Sequence, residues 1–247
     1  MLIKDSKSII ITSQFKIYKE NRVMKTTTKL LSVIACASMV LSMSACALFG
    51  GNQLSPSNLL SYAENSEAEV YDSSKKFITF LEKVGSDETA KKLKNGAVMH
   101  LEDKDIKKVL SDSHVCIFPI VDNFYDKNIT EATLYVFGKS TNGKGHCEYI
   151  FSFAFEDEKD AKKYFKKIAE GYANPKQEVE ADEGEQDDGT KYNVMLMKND
   201  KGTGAIGLYM KDNIVFLGVS YAETGNKGVD ALEEVLGDFN LHLVSDT

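Results

Sequence analysis

The sequence predicts an α+β fold: a mostly antiparallel sheet, built from a hairpin and a three-strand meander, with amphipathic helices packed on one face and a helical region in front. Three observations carry this reading. The strand-like runs are joined by very short turns, whereas a parallel connection needs a crossover of a dozen or more residues. Helical stripes, with apolar residues three and four apart, stand between and after those runs. A chain of 247 residues that is 43% hydrophobic and 10% aromatic has the material for one domain with a sizeable core.

In chain order, Tyr71, Ser74, Phe77, Ile78, Leu81 and Val84 recur at helical spacing and Gly85 closes the pattern. Asp87 caps a second short stretch, "ETAKKLKN", which Gly96 ends. A third, "EDKDIKKVLSD", gathers Ile106, Val109 and Leu110 on one side. Strands follow. "HVCIFPIV" is continuously apolar, although Pro119 confines it to an edge or a bulge. "TEATLYVFGKS" and "GHCEYIFSFAFE" flank Asn142-Gly143, a hairpin signal. By alternation Cys147, Tyr149, Phe151, Phe153 and Phe155 share a face that should be buried, and His146, Glu148, Ser152 and Ala154 share the other.

"DEKDAKKYFKKIAEG" reads as an amphipathic helix with Asp157 as cap, Ala161, Tyr164, Phe165 and Ile168 as stripe, and Gly171 as terminator. The meander comprises "TKYNVMLMK", "GAIGLYMK" and "IVFLGVSYA", with turns at Asp200–Gly202 and Asp212-Asn213. A closing helix from about Lys227 to Asp238 shows Val229, Leu232, Val235, Leu236 and Phe239. The order resembles two hairpin-plus-helix halves, without the sequence identity of a repeat. Between them "KQEVEADEGEQDDGTK" packs seven acids from Glu178 to Asp188 and reads as a solvated loop. It is not a calcium loop, because counting back from Gly189 puts Gly184 at the first ligand position.

Charge divides the chain. Residues 1–45 hold seven basic side chains and two acids. Removing those nine from the 30 basic and 37 acidic residues leaves 23 and 35 beyond position 45, a formal net of −12. A basic front before an acidic body is the asymmetry of a secretory precursor. Arg22 is the only arginine, so the body has no guanidinium fork for phosphate or guanine. With its negative charge, that argues against a nucleic-acid partner.

Lys25 and Lys29 form a short positive region, and Leu30 to Met43 is an uncharged apolar or small-residue run of signal-peptide length. Met43-Ser44-Ala45-Cys46 then resembles the lipobox of bacterial lipoprotein precursors: an aliphatic residue, two small residues and the cysteine that is lipidated and becomes the new N-terminus. Met43 departs from the Leu, Val or Ile that the pattern prefers. Val33-Ile34-Ala35-Cys36 matches the letters better, but cleavage there leaves only Leu30 to Ala35 as hydrophobic segment, too short to engage a bilayer. Length selects Cys46. The resemblance implies residues 1–45 as signal peptide, with 1–23 an upstream mis-start or a long basic region. It further implies 46–58 as lipid anchor and flexible tether, and 59–247 as a single domain outside the cytoplasm. An uncleaved anchor over Leu30–Phe49, or ordinary secretion, are the alternatives. The resemblance says nothing about the fold behind the anchor.

Other letter patterns fail on spacing. Gly202, Gly204 and Gly207 spell G-x-G-x-x-G, but the next strand at Ile214 leaves no room for the helix that would meet a pyrophosphate. Gly218-Val219-Ser220-Tyr221-Ala222 approaches a nucleophile elbow with Asp238 and His242 downstream, yet Ser220 continues a strand. His114, Cys116, His146 and Cys147 have the ligand set of a zinc site without its spacing. Cys116 and Cys147, the two thiols left once Cys36 and Cys46 are accounted for, are either a disulfide or two buried free thiols. No cofactor, metal or catalytic set is implied. The reading is a lipid-anchored cell-envelope protein whose domain binds an unidentified protein or small molecule. The alternative is an extracytoplasmic hydrolase, and a pocket joining His146, Glu148 and Ser152 would favour it.

Overall fold

The computed structural model describes residues 53–84, 95–112, 124–138, 147–172, 178–199, 202–223 and 228–243. The elements are α1 (Pro56–Asn65), β1 (Glu69–Val70), α2 (Ser74–Val84), β2 (Ala97–Glu102), α3 (Lys104–Leu110), β3 (Ile129–Gly138) and β4 (Cys147–Phe155), then α4 (Glu158–Tyr172), β5 (Glu178–Glu185), β6 (Lys191–Asn199), β7 (Gly202–Lys211), β8 (Ile214–Glu223) and α5 (Gly228–Asp238). The class is α+β. Eight strands form one sheet in the order β1-β2-β3-β4-β8-β7-β6-β5, antiparallel except for the short β1–β2 pair.

Local chemistry accounts for the helix ends. Ser55 has extended backbone and its Oγ accepts the Asn58 N–H at 3.3 Å, while Pro56 occupies the first turn, where a missing N–H costs nothing. Asp157 caps α4 by accepting the Asp160 N–H at 2.9 Å. Past α5, Asn240 turns into the left-handed region (φ 56°) and the Leu241 N–H returns to the Leu236 carbonyl. Helix α4 carries the chain from the middle strand β4 to the outer edge, and the meander β5-β6-β7-β8 brings it back to pair with β4.

The expectation that helices pack on one face is corrected: they cover both. One face carries Tyr149, Phe151, Phe153 and Phe155 under α2, α3 and α4, with Tyr164 and Ile168 of α4 fully buried. The other carries Tyr135, Ile150, Ala205 and Phe216 under α1 and α5. The reason lies in β8, whose residues from Ile214 to Ser220 are all buried: a continuous apolar run fits a strand covered on both sides. Gly218 is where α5 comes closest, since a Cβ there would lie 2.9 Å from a Leu232 methyl.

Three further expectations change. The tether does not run to Asn58, because Leu54 is only 2% exposed and α1 begins at Pro56. Residues 97–102, of which only Glu102 falls in a stretch read as helical, form β2. The acidic run is not a loop: Glu178–Glu185 pairs with β6 along its whole length. The helix expected at 88–95, the strand at 114–121 and the Asn142-Gly143 turn lie outside the described residues, apart from Asn95.

What seats α1 is a row of side chains crossing the sheet. Phe216, Ser152, Thr133 and His100 are successive cross-strand partners on β8, β4, β3 and β2. The buried Ser152 Oγ donates to the Leu54 carbonyl and the Thr133 Oγ1 to the Pro56 carbonyl at 2.8 Å. With the only Thr133 hydroxyl proton so used, the His100 Nδ1–H donates to Oγ1 at 2.8 Å. His100 Nε2 then faces Glu131 at 3.4 Å and Glu102 at 3.7 Å, and the Ser57 Oγ donates to Glu131 at 2.8 Å. These polar atoms are satisfied by the entering chain, which is why a sheet face can bury them.

Thr133→Val keeps the shape and leaves the Pro56 carbonyl and His100 Nδ1 without their partner. It is expected to lower the unfolding free energy by about 1–3 kcal/mol in a urea titration. Ser61→Ala, which removes only a solvent-exposed bond to the Ser57 carbonyl, is expected to change it by less than about 0.5 kcal/mol.

Candidate functional site

Among the described residues, those singled out from the sequence do not converge. Cys36, Cys46, Cys116, His114 and His146 lie outside the described residues, and Cys147 opens β4 opposite Gly138. Gly202, Gly204 and Gly207 all lie within β7, so the phosphate-loop letters belong to a hairpin strand. Ser220 lies within β8 and is completely buried; its Oγ donates to Glu148 Oε1 at 3.5 Å across the strand pair. Asp238 ends α5 and accepts the Tyr62 hydroxyl at 3.0 Å, and His242 is exposed in the tail beyond it. Glu148 and Ser152 of the expected polar face are both 0% exposed, so neither offers a surface for catalysis. Among the described residues no group of His, Cys, Asp and Glu is disposed to hold a metal ion, and no helix is long and apolar enough to cross a membrane.

An open concavity lies at the far end of the cross-sheet row, which continues from Phe216 through Tyr209 and Tyr192 to Gly184 at the sheet edge. There a groove of about 930 Å³ runs between the β5–β6 hairpin and the tail after α5. Asp182, Glu185, Asp187 and Asp188 give it negative charge, Tyr192 an aromatic wall, and Asn240 and His242 the opposite bank.

Several contacts build this groove. The Tyr209 hydroxyl donates to the His242 carbonyl at 3.0 Å and so draws the tail onto the sheet; burial raises its pKa far above the ordinary tyrosine range. Gln186 Nε2 donates to the Asn240 carbonyl at 3.4 Å and bridges the two banks. Tyr192 lies across Gly184: a Cβ there would sit 2.7 Å from its hydroxyl oxygen, so a larger residue would push the ring off the edge strand. The same hydroxyl donates to Asp182 Oδ2 at 3.3 Å, and desolvation together with that carboxylate raises the tyrosine pKa.

At the floor of the hairpin Asp188 accepts from Lys211 Nζ at 2.7 Å and from the Thr190 N–H at 3.0 Å. The lysine and that backbone bond hold its carboxyl down at about 2. The arrangement attracts cations and offers hydrogen-bond acceptors. Among the described residues it holds no buried nucleophile beside a base. Sequence reading missed it because glycine inside an acidic run reads as loop; Tyr192, eight residues on and paired with Gly184, is the signal that the run is a strand.

No family model and no curated protein matches the chain. Among solved structures, the chain is similar to the extracellular domain of PknH from Mycobacterium tuberculosis, with 10% identity over 59% of this chain and 83% of that one and a TM-score of 0.36. At that level the likeness carries no argument about function.

The Asp188 contacts give a pH signature. A folded-state pKa held below the unfolded value of 3.8 contributes stability that is present above that value and lost as pH falls through about 2. Because the Asp188 side chain is 55% exposed, solvent screening keeps the effect small. Wild type should therefore melt above Asp188→Asn at pH 6, and the gap in Tm should close between pH 4 and pH 2 in calorimetric scans.

Proposed function

We propose that this chain is a lipid-anchored protein of the bacterial cell envelope, carried on Cys46, whose α+β domain is a binding module held outside the cytoplasm. The observation that carries the reading is Met43-Ser44-Ala45-Cys46 at the end of an uncharged run of signal-peptide length, behind Lys25 and Lys29. The change from a basic front to a body of net −12 supports it. So does the entry point of the domain: Leu54 and α1 are seated on the sheet, so a lipid a few residues upstream would hang directly on a folded core.

Binding is favoured over hydrolysis by where the polar side chains went. Ser152, Thr133, Glu148 and Ser220, the hydroxyls and carboxylate a hydrolase would need at a surface, are all 0% exposed. The open groove instead offers carboxylates and a tyrosine, groups that suit recognition of a cationic ligand.

Mass spectrometry of the mature protein from membranes is expected to find diacylated Cys46 as the first residue, and Cys46→Ala should move the protein out of the membrane fraction. An N-terminus at Met1 or Met24, or an unmodified Cys46, overturns the anchored reading.

A further inference from the structure

The sheet has one long outer edge. Among the described residues no strand lies beyond β5, and from Glu180 to Glu185 every residue of it is exposed. A strand paired on one side only presents its outward N–H and C=O groups to any chain that lies alongside in extended form. We propose that this edge takes up an extended, lysine- or arginine-bearing segment of another protein as a ninth strand, with a basic side chain received beside Tyr192 and Asp182.

Three features select that occupant. First, Tyr192 is laid over Gly184 up to the sheet edge, so a side chain opposite Gly184 on an added strand meets an aromatic ring, to which ammonium and guanidinium groups are attracted. Second, Asp182 stands one side-chain repeat away on the same face, its carboxylate 3.3 Å from the Tyr192 hydroxyl. Third, the edge has no basic residue from Glu178 to Asp188 and seven acids, with carboxylates on each face of the strand, so basic side chains at alternate positions would find them on whichever face they share. The same charge works against the competing occupants. A second copy would bring β5 against β5 with like charges facing, and an anionic membrane surface would be repelled. The inference rests on the binding reading above but not on the lipid, so it is tested independently of the N-terminus.

The probe is a capped peptide of about ten residues alternating lysine and threonine, titrated into the full chain in detergent at low ionic strength. Binding is expected, with exchange of β5 amide hydrogens slowed. The same peptide N-methylated at alternate residues, which keeps its charge and removes the donors of one edge, is expected to bind at least about tenfold more weakly. Glu183→Lys with Glu185→Lys should weaken the parent peptide by a similar factor, and Gly184→Ala, which displaces Tyr192 without changing charge, by about threefold or more. Should Gly184→Ala fail to fold by circular dichroism, Tyr192→Leu replaces it with the same expectation. Equal binding of the methylated peptide would show charge attraction without strand addition and overturn the proposal. So would no binding of either peptide, or self-association of the chain that the Glu183→Lys, Glu185→Lys variant abolishes.

Discussion

The fold depends on hydroxyl groups that a sheet face would ordinarily turn to water. Ser152, Thr133 and Tyr209 lie in one cross-strand row and donate to the carbonyls of Leu54, Pro56 and His242. Both ends of the described domain are thus pinned to the middle of the same sheet, and a buried donor or acceptor left over at any of these points would cost about 1–3 kcal/mol. Helix α1 starts where this row holds it, and through Tyr62 it meets Asp238 and Phe239 at the end of α5. The second core layer is assembled from the two chain ends, and the hydroxyl row is what brings them there.

That use of polar residues explains why motif letters misled. A serine two residues after a glycine, with an acid and a histidine downstream, has the spelling of a nucleophile elbow. Yet Ser220 sits in the middle of a two-sided strand, where its hydroxyl serves Glu148. Position in the pleat, not spelling, decides what a hydroxyl can do.

Legibility followed the range of the forces involved. Helix α4 was readable because its cap at Asp157 and its stripe at Ala161, Tyr164 and Ile168 are local, strand β4 because its alternation is local, and the β7–β8 hairpin because its two apolar runs flank the local turn at Asp212-Asn213. The helix α1 also had a local signal, Ser55-Pro56 followed by Leu59 and Ala63, but linker-like composition before it obscured the start. The burial of both sheet faces was foreshadowed by the unbroken apolar run of β8, which a search for one polar and one apolar face passes over. Strand β5 was not legible: nothing in Glu178–Glu185 favours extended structure except its partner β6, eight paired positions long. The groove was less so, since its banks, the β5–β6 hairpin and residues 240–243, are more than forty positions apart in the chain. Only the Cys46 pattern, a short linear stretch, asks nothing of the fold.

The contact between the domain's two ends also has a consequence for reach. Gln53, the first described residue, donates through Nε2 to the Asp238 carbonyl at 3.4 Å, and its Oε1 accepts from Asn240 Nδ2 at 3.4 Å. Asn240 is also a wall of the groove. The chain therefore enters the domain beside the groove rather than on the opposite side. Six residues separate Cys46 from Gln53, and the seven Cα-to-Cα steps span at most about 25 Å when fully extended. Anything carried at Cys46 would then be leashed to the bank of the groove by no more than that length of chain.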